Sequence, residues 1–145
     1  MFEILPGVGL RLPGRAGVLR FGDDERTAQW AVATVADVRE GWVCGAGWSF
    51  TAEYEGVRLD VHGDVGDRYG RYEDVRGLAA VGLTRDPLCL TAPVVLDGID
   101  LFGYPSAEVL DALGYDLPPA VRLRGDGRHF TTVWLDAERV WGRDT

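Results

Sequence analysis

The sequence contains no lysine and no asparagine, and only two of its 145 residues are cysteine. All fifteen basic residues are therefore arginine, a usage typical of GC-rich coding, and each arginine can pair through two nitrogens with one of the 23 Asp and Glu residues. Cys44 and Cys89 are far apart and show neither zinc-ligand spacing nor the density of a disulfide framework. We expect reduced thiols in a cytoplasmic protein.

Clustered positive charge and long apolar runs are also lacking. The formal net charge is −8 and no basic stripe is visible, which argues against nucleic-acid binding. No window approaches the roughly 18 apolar residues of a membrane span, and the N-terminus does not read as a signal peptide. An acidic surface can attract a basic protein partner, or it can serve only solubility.

The length favours a single compact domain over residues 1–145. Glycine and proline punctuate residues 1–22, which favours short extended pieces joined by turns. Alternating segments later in the chain indicate strands, and two stretches indicate helices. The predicted fold class is α+β: a twisted antiparallel sheet of six to eight strands with two short helices packed on one side.

The first predicted helix spans Asp23–Glu40. Asp23 or Asp24 can cap its N-terminus, and Ala28, Val32 and Val35 fall on one face at helical spacing. Trp30 lies off that apolar face. It either packs under a loop or serves as an exposed partner anchor.

A β-hairpin is predicted around Glu55-Gly56, because "WSFTAEY" and "VRLDVHG" flank this tight-turn pair. Trp48, Phe50 and Ala52 alternate onto one face of the first strand. One apolar and one mixed face are typical of an antiparallel sheet that is covered on one side.

The second predicted helix lies in "GIDLFGYPSAEVLDALG", Gly98 to Gly114, with Ser106 as its N-cap and Gly114 as its stop. This strand–Phe-Gly–helix order also occurs in "GVLRFGDDERTAQWAVATV", which begins at Gly17. The match raises the hypothesis of a degenerate tandem duplication with pseudo-repeat halves 1–86 and 92–145.

The pattern I-x-L-F-G-x-x-x-x-E-V-L-x-A-L-G over residues 98–114 resembles the unit found in β-lactamase-inhibitor proteins and outer-membrane-assembly lipoproteins. That resemblance implies short helices against an antiparallel sheet, and a protein-binding module whose sheet face is the contact surface. The sequence departs from the family pattern, because we recognise in it no secretion signal, lipobox or paired disulfides, and we therefore do not expect an exported inhibitor or a membrane-assembly role.

Asp60, His62 and Asp64 alternate in one predicted strand and would share a face. Carboxylates and an imidazole can bind a divalent metal, and His62 can also act as a general base. The alternative is a solvated strand end. No organic cofactor is expected, because no phosphate-binding or dinucleotide fingerprint is present.

Five tryptophans are the other prominent feature. Trp42, Trp48, Trp134 and Trp141 lie in predicted β sequence, where most should be core residues. If two or more of the tryptophans share an exposed sheet face with arginines such as Arg58, Arg122 or Arg124, that face would be a binding surface. We selected as partner-binding candidates Trp30, Trp48, Trp134 and Arg122.

The leading functional hypothesis is a non-enzymatic, acidic protein-interaction domain with a basic partner, of an immunity- or inhibitor-like kind. A metal-binding protein or small hydrolase built on Asp60, His62 and Asp64 is the second. A small-ligand binder in the concavity of the sheet is the third.

Overall fold

A computed structural model describes residues 1–41, 47–64 and 77–137. It contains eleven strands and two helices in those ranges. In chain order they are β1 (Phe2–Leu5), β2 (Gly9–Arg11), β3 (Val18–Arg20), α1 (Glu25–Ala33), β4 (Arg39–Glu40), β5 (Gly47–Tyr54), β6 (Val57–Asp64), β7 (Gly77–Arg85), β8 (Val94–Leu96), β9 (Ile99–Asp100), α2 (Ser106–Ala112), β10 (Val121–Gly125) and β11 (Phe130–Asp136).

The strands form two sheets rather than the single sheet that the sequence predicts. One has the order β3-β2-β1-β8-β9 and the other β10-β11-β7-β6-β5-β4. All pairings are antiparallel except that of β1 with β8. The α+β class is confirmed. The parallel pairing joins Phe2 to Val94, which are far apart in the sequence, so no local sequence pattern predicts it.

One cluster of buried apolar side chains includes residues of both sheets and both helices. Phe2 of the five-stranded sheet meets Tyr54 of the six-stranded sheet edge to face, with ring centroids 5.8 Å apart. Backbone bonds also join the two parts: the Leu78 amide donates to the Asp23 carbonyl at 2.7 Å. The core therefore lies on one side of the six-stranded sheet.

The predicted hairpin is confirmed, with Tyr54 opposite Val57 and the Glu55-Gly56 pair at positive φ. Its alternation is also confirmed, because Phe50, Ala52 and Leu59 are buried. A register shift between His62 and Gly63 inserts an extra residue in β7, so that Leu78 and Val81 are both buried.

The first helix is shorter than predicted. Asp24 caps it, as one of the two expected residues, by accepting a hydrogen bond from the Thr27 amide at 2.7 Å. The helix ends at Ala33, and the Asp23–Glu40 prediction was wrong beyond that point. The backbone of Arg39 and Glu40 instead pairs with β5 as strand β4.

The second helix is confirmed, but Ser106 is not its N-cap. Pro105 occupies that position, and no side-chain hydrogen bond caps the helix. The Ser106 amide is satisfied by the Arg128 carbonyl at 2.7 Å, so the loop between β10 and β11 serves in place of a side-chain cap. Gly114, at φ +72°, follows the helix as the sequence predicts.

The two strand–helix units occupy opposite ends of one sheet. Strand β3, which precedes α1, and strand β9, which precedes α2, are the two edges of the five-stranded sheet. The tandem duplication stays a prediction.

Candidate functional site

The face of the six-stranded sheet that points away from the core carries a continuous row of cross-strand neighbours. The row contains one residue from each strand, in the order Arg122, Trp134, Gly82, Asp60, Thr51 and Arg39. Six strands at a spacing of about 4.8 Å make the row about 24 Å long. We call this surface, with the residues flanking the row, the open face.

Trp134 lies on β11, the second strand from one edge of the open face, and its side chain extends inward. Its indole extends over Gly82, where a β-carbon would lie 2.7 Å from Cε2, and reaches toward β6. There the imidazole of His62 lies 5.6 Å away between ring centroids, inclined at 52°. Because Gly82 has no side chain, the indole can lie across the neighbouring strand and present part of its surface to solvent.

Two ion pairs flank the indole. Arg122 Nη2 lies 3.0 Å from Asp136 Oδ2, and Arg58 Nη2 lies 3.2 Å from Asp60 Oδ1. The side chains of Arg122 and Arg58 remain 58% and 59% exposed. Solvent screening keeps such pairs weak, so these guanidinium groups can exchange partners at little cost.

Asp60, His62 and Asp64 lie on one strand, but they do not come together as a metal site. Over the described parts of the chain, no three His, Cys, Asp or Glu side chains are grouped so that they could hold a metal ion. Asp60 is engaged by Arg58, His62 faces Trp134, and Asp64 ends β6 opposite Gly77.

The tryptophan candidates are divided among three locations. Trp48 is buried, with 7% of its surface exposed; it stacks on Phe50 and lies against Gly63 in the core. Trp30 is 70% exposed on α1, whose buried residues join the core. Of the described tryptophans, Trp134 alone lies on the open face beside Arg122. Trp42 and Trp141 lie outside the described residues.

Phe130 does not share the face of Thr132 and Trp134, although strict alternation along β11 would place all three on one face. A register shift between Arg124 and Gly125 places Phe130 opposite Gly125. Phe130 therefore packs against the core cluster, whereas Thr132 forms a side-chain contact with Thr84 at 3.4 Å between hydroxyl oxygens. Sequence alternation could not show this inserted residue.

A polar cavity of about 380 Å³ lies at the β4 edge of the open face. Its lining includes Arg39, Thr51, Glu53 and Arg58. Charged walls do not suit the small apolar ligand that a curved aromatic sheet would hold, so this cavity gives little support to the third hypothesis.

The net negative charge of the chain is concentrated elsewhere, in a segment that lacks arginine. Residues 86–121 contain six Asp and Glu residues and no arginine. The same segment contains four of the large apolar or aromatic side chains that are exposed in the described chain, namely Leu88, Leu90, Tyr104 and Tyr115.

Part of this acidic segment forms a second cavity, also of about 380 Å³, between the edge strand β9 and α2. We call it the β9–α2 groove. Its apolar lining is supplied by Val95, Ile99, Val109 and Ala112, and its polar lining by Asp100, Tyr104 and Glu108. The sequence did not predict this groove, although the stretch of residues 86–121 without arginine can be read directly from it.

The tip of the β7–β8 loop is held in a defined conformation by Asp86. Its Oδ1 accepts from the Leu88 amide at 2.9 Å, and its Oδ2 accepts from the Cys89 thiol at 3.3 Å. These two bonds lower the pKa of Asp86. The same thiol hydrogen bond and the carboxylate charge raise the pKa of Cys89. Cys89 is thereby kept in the less nucleophilic thiol form.

Neither α1 nor α2, the helices of the described chain, is long and apolar enough to cross a membrane. The chain matches no known family model, and comparisons with curated proteins and with solved structures find no match.

Proposed function

We propose that this chain is a protein-interaction domain that binds a basic protein partner through the open face of its six-stranded sheet. The observation that carries the proposal is the position of Trp134 over Gly82, between His62 and Arg122. Tryptophan, tyrosine and arginine are the residues most enriched at binding hot spots, and the rim around such a spot is polar.

The sheet supplies a rigid platform for this contact. Trp134 lies on β11, which pairs with β7 and β10 on its two sides. A side chain that is held between two neighbouring strands loses little further freedom when it binds, and this reduces the entropic cost of association.

The charge of the chain supports a basic partner. The net charge of −8 and the six carboxylates of residues 86–121 create a negative field around the molecule. Such a field accelerates encounter with a positively charged protein, while the aromatic contact determines how long the complex lasts. An immunity- or inhibitor-like role in the cytoplasm, where the bound partner is an enzyme or toxin, is the specific form that we propose.

The first experiment is affinity capture with the full chain, with Trp134→Ala and with Trp30→Ala as baits. Trp30 is the matched control because it is an exposed tryptophan on a different surface. We expect the first variant to lose a basic prey that the second retains, and we expect high salt to reduce capture by the parent chain.

The second experiment uses the purified prey and the ¹⁵N-labelled chain. We expect the indole Nε1–H signal of Trp134 to shift or broaden when prey is added, while the signals of Trp30 and buried Trp48 stay in place. A prey that perturbs only Trp30, or no tryptophan, would contradict the open face as the binding surface.

A further inference from the structure

We propose that the β9–α2 groove binds a side chain of arginine or lysine, with the apolar residues beside it, from an extended segment of the basic partner. This inference rests on the proposed function for the class of partner. It concerns a different surface, because the groove is lined by β8, β9 and α2 and contains no residue of the open face.

The groove is built on the β9 edge of the five-stranded sheet. Within the described residues β9 pairs with β8 alone, and α2 lies beside it across the groove. Val109 is 1% exposed and forms part of the core, so the wall of the groove is anchored. The cavity volume lies at the lower end of the range of about 300–1,000 Å³ that is typical of ligand sites.

Two carboxylates face this apolar space. Asp100 has a fixed orientation, because its Oδ1 accepts from the amides of Phe102 and Gly103, both at 3.2 Å. Glu108 is exposed in the first turn of α2. In the described chain, no side chain or amide donates a hydrogen bond to Glu108. The groove therefore offers one oriented carboxylate and one that is available to a ligand.

An arginine or lysine side chain matches both properties. Its methylene stem can lie along Val95, Ile99 and Ala112 while its cationic head reaches the carboxylates. The ring of Tyr104, 55% exposed on the wall, adds a face for a cation–π contact. Both interactions strengthen when the partner excludes water from the groove.

Other occupants fit less well. An anionic ligand would be repelled by the two carboxylates and by the acidic segment around them. A purely apolar segment would bury the negative charges of Asp100 and Glu108 without a cation to balance them, and the cost of removing these charges from water would exceed the gain from apolar contact. Charge complementarity thus selects a cationic segment with apolar neighbours.

The test uses the full ¹⁵N-labelled chain at low salt and the blocked tripeptide acetyl-Leu-Arg-Leu-amide as the probe. We expect saturable shift changes at Ile99, Val109 and Ala112. The glutamate analogue acetyl-Leu-Glu-Leu-amide serves as a matched control and should leave those signals in place. Shifts that are equal for both peptides, or that fall outside the groove, would overturn the inference.

Two charge-matched variants complete the test. Glu108→Gln removes one negative charge from the groove, and Glu53→Gln removes one from the six-stranded sheet. We expect Glu108→Gln to weaken the tripeptide at least five-fold and Glu53→Gln to change it less than two-fold. Equal effects of the two substitutions on tripeptide affinity would mean that only the net charge matters, and would also overturn the inference. The amide spectra report directly that both variants are folded.

Failure of the groove is separable from failure of the proposed function. If the chain does not bind the tripeptide but Trp134→Ala abolishes partner binding, the groove proposal is wrong and the open-face proposal stands. If the chain binds the tripeptide in the groove and the Trp134→Ala variant still binds the partner normally, the groove proposal stands and the open-face proposal is wrong.

Discussion

The indole of Trp134 lies across Gly82 on the open face, and on the opposite face the indole of Trp48 lies across Gly63 in the same way. Each tryptophan is directly opposite its glycine in the strand register. In the described part of the sheet, a cross-strand tryptophan–glycine pair thus lies on each side, one in the core and one at the surface. The two pairs can be compared directly, because their chemistry is the same and their burial differs.

A methyl group at each glycine should therefore have different effects. Gly63→Ala forces the buried indole of Trp48 against a packed core and should lower the free energy of unfolding by about 1–3 kcal/mol. Gly82→Ala should displace the indole of Trp134 toward solvent, and it should therefore lower the free energy of unfolding by less than Gly63→Ala does. Urea denaturation with tryptophan fluorescence measures both. A larger loss for Gly82→Ala than for Gly63→Ala would contradict the assignment of faces.

Acid should destabilise the fold through three carboxylates that accept hydrogen bonds from the backbone. The Thr27 amide lowers the pKa of Asp24, the Leu88 amide lowers that of Asp86, and the amides of His129 and Arg128 lower that of Asp126. Because the folded pKa values lie below the unfolded value of about 3.9, the stabilisation is present above about pH 5. It is lost progressively as the pH falls through the unfolded and then the folded pKa values.

Urea unfolding at a series of pH values from 7 to 2.5 checks this dependence. We expect Asp126→Asn to lower stability at pH 7 and to make the decline in acid shallower, because the variant has one fewer shifted carboxyl. A decline as steep as that of the parent chain would exclude Asp126 as a contributor.

Cys89 should react with alkylating reagents more slowly than an ordinary exposed thiol, because Asp86 disfavours its thiolate. Asp86→Asn removes the negative charge and should accelerate the reaction of Cys89 with iodoacetamide at pH 8. Mass spectrometry of the peptide that contains residue 89 separates this reaction from that of Cys44. An unchanged rate would show that the carboxylate does not control the thiol.

Much of the six-stranded sheet could be predicted from local pattern. The Glu55-Gly56 turn and the alternation of Trp48, Phe50 and Ala52 correctly identified the hairpin and its buried face. That same alternation predicts Trp48 on the buried face with Phe50 and Ala52, where the structure has it, although Trp48 was also a partner-binding candidate. Alternation along β11 also puts Thr132 and Trp134 on one face, and in the structure both are half-buried on the face opposite the core residues Val133 and Leu135.

Other features depend on contacts that leave no local trace. The division into two sheets follows from the parallel pairing of Phe2 with Val94, and helix α1 ends early because Arg39 and Glu40 pair with β5. The register shift at Gly125 turns Phe130 inward without any change in the polar–apolar pattern. The position of Trp134 over Gly82 and the β9–α2 groove likewise arise from neighbours distant in sequence.

The measurement that tests the central claim most directly is the calorimetric dissociation constant of the purified basic partner with the parent chain, Trp134→Ala and Trp30→Ala. Loss of a hot-spot tryptophan costs at least about 2 kcal/mol, so the account predicts an increase in Kd of about 30-fold or more for Trp134→Ala. It predicts a change of less than about three-fold for Trp30→Ala, consistent with a change under 1 kcal/mol. An unchanged Kd for a folded Trp134→Ala chain would contradict the open face as the binding surface.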